Sequence, residues 1–109
     1  MLFMVIEHFR PGRAPEVYRR FRDRGRMMPE GLRYISSWVD LRFERCFQVM
    51  ESESEALFRE WTVNWDDVIE FEIVAVRTSS EAAAAMAPEL KTLPGHEQVD
   101  AVLRRHEAS

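Results

Sequence analysis

An α+β fold in the order strand, helix, strand, strand, helix, strand is predicted for residues 1–78 of this 109-residue chain, on three observations. Four short runs alternate apolar side chains at the period of a strand, two stretches between them repeat apolar residues at helical spacing, and Gly, Pro and Ser punctuate the joints. The composition, 46% apolar and 31% charged, excludes disorder and coiled coil. One domain of this length buries roughly 60 to 70% of its unfolded surface, enough for a core without metal or disulfide staples.

The first strand is Leu2 to Phe9, where Phe3, Val5, Glu7 and Phe9 alternate with Leu2, Met4, Ile6 and His8. Both of its faces are largely apolar, so it belongs in the middle of a sheet covered on two sides. Pro11 and Gly12 end it. Pro15 sits where a first helical turn tolerates a missing N–H, and Val17, Tyr18, Phe21 and Met28 mark the inner side of a helix that Gly25 stops. After the turn Met28-Pro29-Glu30-Gly31 come two strands joined as a hairpin around Leu41 and Arg42: Leu32 to Asp40, then Phe43 to Glu51. Ser52 and Glu55 have capping-box spacing before a second helix carrying Leu57, Phe58, Trp61 and Trp65. Val68 to Arg77 is the fourth strand. Residues 79–109 read as a helical C-terminal extension, an alanine-rich stretch that Pro88 interrupts and a last short helix with Val99, Val102 and Leu103. Its apolar stripe is short, so it is expected to dock on the domain or on a partner subunit.

This order is that of the split β-α-β, or ferredoxin-like, sandwich, in which both helices cover one face of the sheet. The first strand is apolar in both directions, and Trp38, Met50, Val74 and Val76 cannot all share the helix-covered face with their alternates. A second copy of the sheet is the economical cover for the other face, which predicts an isologous homodimer.

The segments MLFMVIEHFR, VYRRFRDRGRMMPEGLRY, SSWVD, CFQVMES and VIEFEIVAV resemble a small bacterial family described as domain of unknown function 3303, related in pattern to the dimeric α/β-barrel superfamily. The likeness runs from residue 1 to about 78 and leaves the extension from Ser79 uncovered. It implies a ferredoxin-like fold and a barrel-forming dimer. It brings no catalytic motif with it, and the wider relatives include cofactor-free oxygenases of small aromatic compounds, haem-degrading enzymes and small isomerases.

In such dimers the sheet face turned away from the helices lines a cavity. If Ile35, Val39, Phe47, Val49, Ile69, Phe71 and Ile73 face the helices, then Ser36, Trp38, Cys46, Gln48, Met50, Glu70, Glu72 and Val74 face the other way, and Glu7 joins them with Phe3 and Val5. Glu7 and Gln48 are therefore the candidate catalytic pair, a desolvated carboxylate as base and an amide as hydrogen-bond donor. Trp38, Ser36, Cys46, Met50 and Glu72 are the candidate ligand contacts. Each has a structural alternative: an ion pair for Glu7, core packing for the tryptophans, a buried apolar thiol for Cys46. His8, His96 and His106 have no metal-ligand spacing, and no dinucleotide, P-loop or GxSxG sequence occurs, so neither metal nor cofactor is expected.

Charge and cysteine content bound the partners. Eight arginines between residues 10 and 33 face only Glu16, Asp23 and Glu30, whereas residues 51–72 hold eight acids against Arg59. These runs are either solvated helix faces or surfaces that attract one another. A net charge of −4 and the absence of an aromatic RNA-binding strand argue against a nucleic-acid partner. Glu7, His8 and Arg10 cut the apolar start far short of the ~20 residues of a membrane span, and no signal-peptide cleavage pattern follows. With Cys46 alone, no internal disulfide forms and a cytoplasmic location is the default. The function expected is a homodimeric protein holding a small apolar or aromatic molecule in a sheet-lined cavity, with cofactor-free oxygenase or isomerase chemistry as the reaction classes. The alternative is a non-enzymatic dimerisation module that binds no ligand.

Overall fold

The computed structural model describes residues 1–90, which fall into two compact units, Met1–Val76 and a second that begins at Arg77. The first unit holds β1 (Leu2–Phe9), α1 (Ala14–Arg24), β2 (Arg33–Val39), β3 (Arg45–Glu51), α2 (Ala56–Thr62) and β4 (Ile69–Val76). Their strands form one sheet in the order β2-β3-β1-β4, antiparallel at every neighbouring pair. It follows that β1 and β2 run parallel with β3 between them, and β3 and β4 run parallel with β1 between them. These are two interleaved β-α-β units, an α+β arrangement compatible with the ferredoxin-like sandwich. The bounds of all four strands lie within two residues of those expected.

Burial alternates along β1 and β3 and identifies the helix-covered face as Phe3, Val5, Glu7, Cys46, Gln48 and Met50. Against it pack Val17 from α1 and Phe58 and Trp61 from α2, with Leu32, Trp65, Val68 and Ile69 completing the core. Phe3 meets Phe58 edge to face at 4.8 Å between ring centroids, and Trp61 meets Phe71 at 5.3 Å. Each large apolar side chain so buried stabilises the fold by roughly 1.5 to 3 kcal/mol, and the aromatic pairs add directionality.

Register corrects the expected faces. Glu7 lies opposite Cys46 and Phe71, Val5 opposite Gln48 and Ile73, and Phe3 opposite Met50 and Ala75. Residues directly opposite share a face. Cys46, Gln48 and Met50 therefore turn toward the helices with Glu7, and Phe47 and Val49 turn away with Met4 and Ile6. The reason is that β3 is apolar in both directions, so alternation alone cannot choose its face; pairing with β1 does. Ile35, expected inside, is 48% exposed at an irregularity in the β2–β3 register between Tyr34 and Ser36.

Local signals were realised unevenly. Gly25 ends α1 with φ +66° and donates its N–H to Phe21 O at 2.7 Å. The hairpin turn uses Asp40, whose Oδ1 accepts from the N–H of Glu44 and Arg45 at 2.7 and 2.8 Å, so Phe43 belongs to the turn rather than to β3. The Ser52–Glu55 capping box does not form. Ser52 Oγ instead donates to Ser54 O, and Ser54 Oγ accepts from Ala56 N–H at the start of α2. The reciprocal box occurs in the second unit, between Thr78 and Glu81 at the start of α3 (Ser79–Leu90). That helix continues through Pro88 to Leu90, so the proline does not interrupt it. The expected helix around Val99, Val102 and Leu103 lies outside the described residues.

The oppositely charged runs meet within the chain. Arg20 grips both carboxylate oxygens of Asp67 at 2.8 and 2.9 Å, Arg33 pairs with Glu51, and Arg10 donates twice to Asp66 O. The Arg20 hydrogen bonds hold the Asp67 carboxyl down at about 2. The Arg20 and Arg10 contacts tie α1 and the end of β1 to the α2–β4 connection, and the Arg33–Glu51 pair lies across β2 and β3. As exposed pairs they orient elements more than they stabilise them.

Candidate functional site: a cavity between sheet and helices

A cavity of about 110 Å³, open on one side, lies between the inner face of the sheet and the helices. Its sheet wall is Glu7, Ser37, Cys46 and Gln48; Tyr18 and Phe21 come from α1, Trp61 from α2 and Trp65 from the turn after it. Arg26 closes one corner from the loop after α1. A wider groove of about 360 Å³ runs along Phe3, Phe58, Arg59, Ile73 and Ala75, but it contains none of the buried polar groups of the sheet.

Glu7 is the chemical centre of the cavity. It sits in mid-strand and is only 8% exposed. Desolvation lifts its carboxyl from 4.5 to about 7, outweighing the positive charge of Arg26 and the hydrogen bond from Cys46, which pull the other way. A carboxyl near 7 exchanges its proton in the neutral range, as a general base requires. The same burial, together with the Glu7 charge, pushes the Cys46 thiol up to about 12, so it stays protonated and is no nucleophile at neutral pH. Gln48 is buried beside them and donates Nε2 to Met50 Sδ at 3.1 Å.

Arg26 is held from behind. Its carbonyl oxygen accepts hydrogen bonds from both Trp61 Nε1 at 2.9 Å and Trp65 Nε1 at 3.0 Å, while Asn64 Nδ2 reaches Met27 O at 3.1 Å. The chain can turn there because Gly25 and Met27 both take positive φ, +66° and +57°. The guanidinium then lies over the Tyr34 ring at 3.6 Å from its centroid and over Phe21 at 4.9 Å.

Of the seven residues singled out from the sequence, the cavity brings together Glu7, Gln48 and Cys46. Met50 is on the same face, buried in the core beyond the cavity wall. Trp38, Ser36 and Glu72 are on the opposite face, paired with Phe47, Val49 and Ile6, so the expected grouping of Glu7 with Trp38 does not exist within one chain. Trp38 is 61% exposed, and Glu72 accepts from His8 Nε2 at 3.4 Å. Sequence reasoning missed Tyr18 and Phe21 as cavity walls and Arg26 altogether. The available signal was position: Arg26 follows the helix-stopping glycine and precedes two methionines, unlike the arginines inside the helix.

Fold and cavity together define a class: an α+β protein whose antiparallel four-stranded sheet and helices enclose an apolar cavity with an ionisable floor. The chain belongs to the domain of unknown function (DUF3303) family, whose model matches residues 1–90. The match takes in α3, so the family pattern reaches past the expected limit near residue 78. No curated protein and no solved structure matches the chain. Among the described residues no helix is long and apolar enough to cross a membrane.

Proposed function

We propose that this protein binds a small, largely apolar molecule in the cavity between sheet and helices and removes a proton from it with Glu7. The observation that carries this reading is the buried Glu7 carboxyl, raised to about 7, in the wall of an aromatic-lined cavity. Buried ionisable groups are costly, and those aimed into a cleft are concentrated at sites of chemistry. Size limits the ligand: an apolar cavity of about 150 Å³ holds one benzene, so a single ring, with its substituents at the mouth, is the upper bound. Isomerisation and cofactor-free oxygenation can both begin by deprotonating an activated C–H, and either is compatible with this site. Gln48 is placed to hydrogen-bond a ligand oxygen once its weak bond to sulfur is exchanged.

The test is a thermal-shift screen of monocyclic carbonyl compounds, followed by proton NMR of the hits in D2O. Wild-type protein should exchange the C–H proton next to the carbonyl, and Glu7→Gln should slow that exchange by roughly 100-fold or more, the usual contribution of a general base. Equal exchange in both proteins, or a screen without a stabilising compound, would refute the assignment.

The second copy belongs on the open face. There the register sets out rows across the sheet: Glu72, Ile6, Phe47, Trp38, then Val74, Met4, Val49, Ser36, with charged residues in the flanking rows through His8–Arg45 and Leu2–Glu51. An apolar centre with a charged rim is the anatomy of an interface, and it supports the barrel-forming homodimer of the dimeric α/β-barrel superfamily. Trp38→Asp is expected to weaken dimerisation by roughly 30-fold, the effect of a ~2 kcal/mol hot spot, as measured by analytical ultracentrifugation. Wild-type protomers that stay single at high micromolar concentration would instead favour cover of this face by the chain itself.

A further inference from the structure

We propose that the cavity recognises a carboxylate, bound in the plane of the Arg26 guanidinium; this inference rests on the binding function proposed above and names its ligand class. Three features of the site support it. Arg26 lines the cavity, and among the described residues its guanidinium makes no hydrogen bond and no ion pair; it contacts the Tyr34 and Phe21 rings, and its charge acts at longer range on Glu7 and Cys46. Contacts of this kind are made through the charge and not through a hydrogen bond, so the N–H donors of the group remain unspent. A guanidinium in that condition matches the two oxygens of a carboxylate in fork geometry, which an ammonium cannot do. The loop is also fixed in advance: Trp61 and Trp65 share its carbonyl and Asn64 holds the next one, so little ordering cost falls on the ligand.

The remaining walls set the rest of the ligand. Tyr18, Phe21, Trp61, Trp65 and Ile69 accept a ring or short chain, and the neutral Cys46 thiol offers no competing charge. The ionisable groups facing Arg26 are Glu7 from β1, Tyr18 from α1 and Cys46 from β3 across the cavity, and Tyr34 from β2 directly against its guanidinium. Two carboxyl groups sharing one guanidinium in a confined space retain a proton between them. Carboxylate binding is therefore coupled to proton uptake by Glu7 and weakens as pH rises, and in the complex Glu7 acts as a base only once it has lost that proton, at higher pH than in the empty cavity.

Benzoate and its neutral isostere benzamide are the probes, and the fluorescence of Trp61 and Trp65 in the cavity wall reports binding. Benzoate should bind wild-type protein roughly 10- to 100-fold more tightly than benzamide at pH 6, the range expected of a charge-assisted bidentate contact. That advantage should vanish in Arg26→Met and fall in Arg26→Lys. The benzoate affinity should decline from pH 6 to pH 8 in wild type and stay flat in Glu7→Gln. Equal affinity for the two probes in the wild type overturns the carboxylate inference and leaves the binding function standing, and it does so without any variant that must fold. Retained benzoate preference in Arg26→Met overturns it as well. Failure of both probes to bind at millimolar concentration removes both the inference and the function on which it rests.

Discussion

Glu7→Gln is expected to stabilise the protein by about 3 kcal/mol at pH 8 and to change it little at pH 4. The carboxyl titrates at 4.5 when hydrated and at about 7 in the fold, chiefly because burial disfavours its charged form. The folded state thus binds the proton more tightly. Between those two values it carries more protons than the unfolded chain, so stability from this group is complete below about 4.5 and is lost as pH rises through 7. Glutamine has no proton to lose and keeps that stability at every pH. Against the ~5 to 15 kcal/mol that holds a domain of this kind together, the difference is large. Urea denaturation at intervals from pH 4 to pH 8 measures it: the wild-type midpoint should fall across this window while the variant's stays level. The lowered carboxyls of Asp67, Asp40 and Glu81 act in the opposite direction, at the acid end of this range and below it, and do so equally in both proteins. Parallel pH profiles for the two proteins would mean that water or a cation reaches Glu7 and that its burial is not what sets its proton affinity.

That a protein would keep a group destabilising it near neutral pH is itself an argument for use, and it bears on what was legible in the sequence. Glu7 stood out because a carboxylate interrupts an otherwise apolar strand. The element order, the strand limits, the stop at Gly25 and the burial of Phe58, Trp61 and Trp65 were readable for the same reason: each depends on local periodicity or on the backbone freedom of glycine. What was not readable depends on pairing. In a sheet apolar on both sides, only register tells Cys46 and Gln48 from Phe47 and Val49, and register is a property of two strands. Arg26 was hidden by a different effect. Its placement depends on two indole N–H groups some 35 to 39 positions further along the chain, a contact that no spacing rule encodes. The capping box was misplaced because Ser-x-x-Glu and Thr-x-x-Glu both occur, and Ser52 is buried beneath the turn into α2 rather than free to cap it.

Those two indoles carry the second large expectation. Trp61→Ala should cost about 3 to 5 kcal/mol, because the side chain is buried to 2% exposure between Phe58 and Phe71 and its loss leaves a cavity where three elements meet. The more informative substitutions keep the bulk. Trp61→Phe and Trp65→Phe each remove one donor to the Arg26 carbonyl while the other remains, so each alone should cost no more than about 1 kcal/mol from the lost bond. Together they leave a carbonyl without either donor, and the double variant should exceed the sum of the singles by about 1 to 2 kcal/mol. A double-mutant cycle in urea reads that excess. It should reappear as a loss of benzoate affinity in the double variant alone, since only there has the Arg26 carbonyl lost both donors, with Asn64 left as the one side chain holding the loop through Met27 O. Additive stabilities with unchanged affinity would mean that Gly25 and Met27 hold the loop by backbone conformation and that the tryptophans serve the core, not the site.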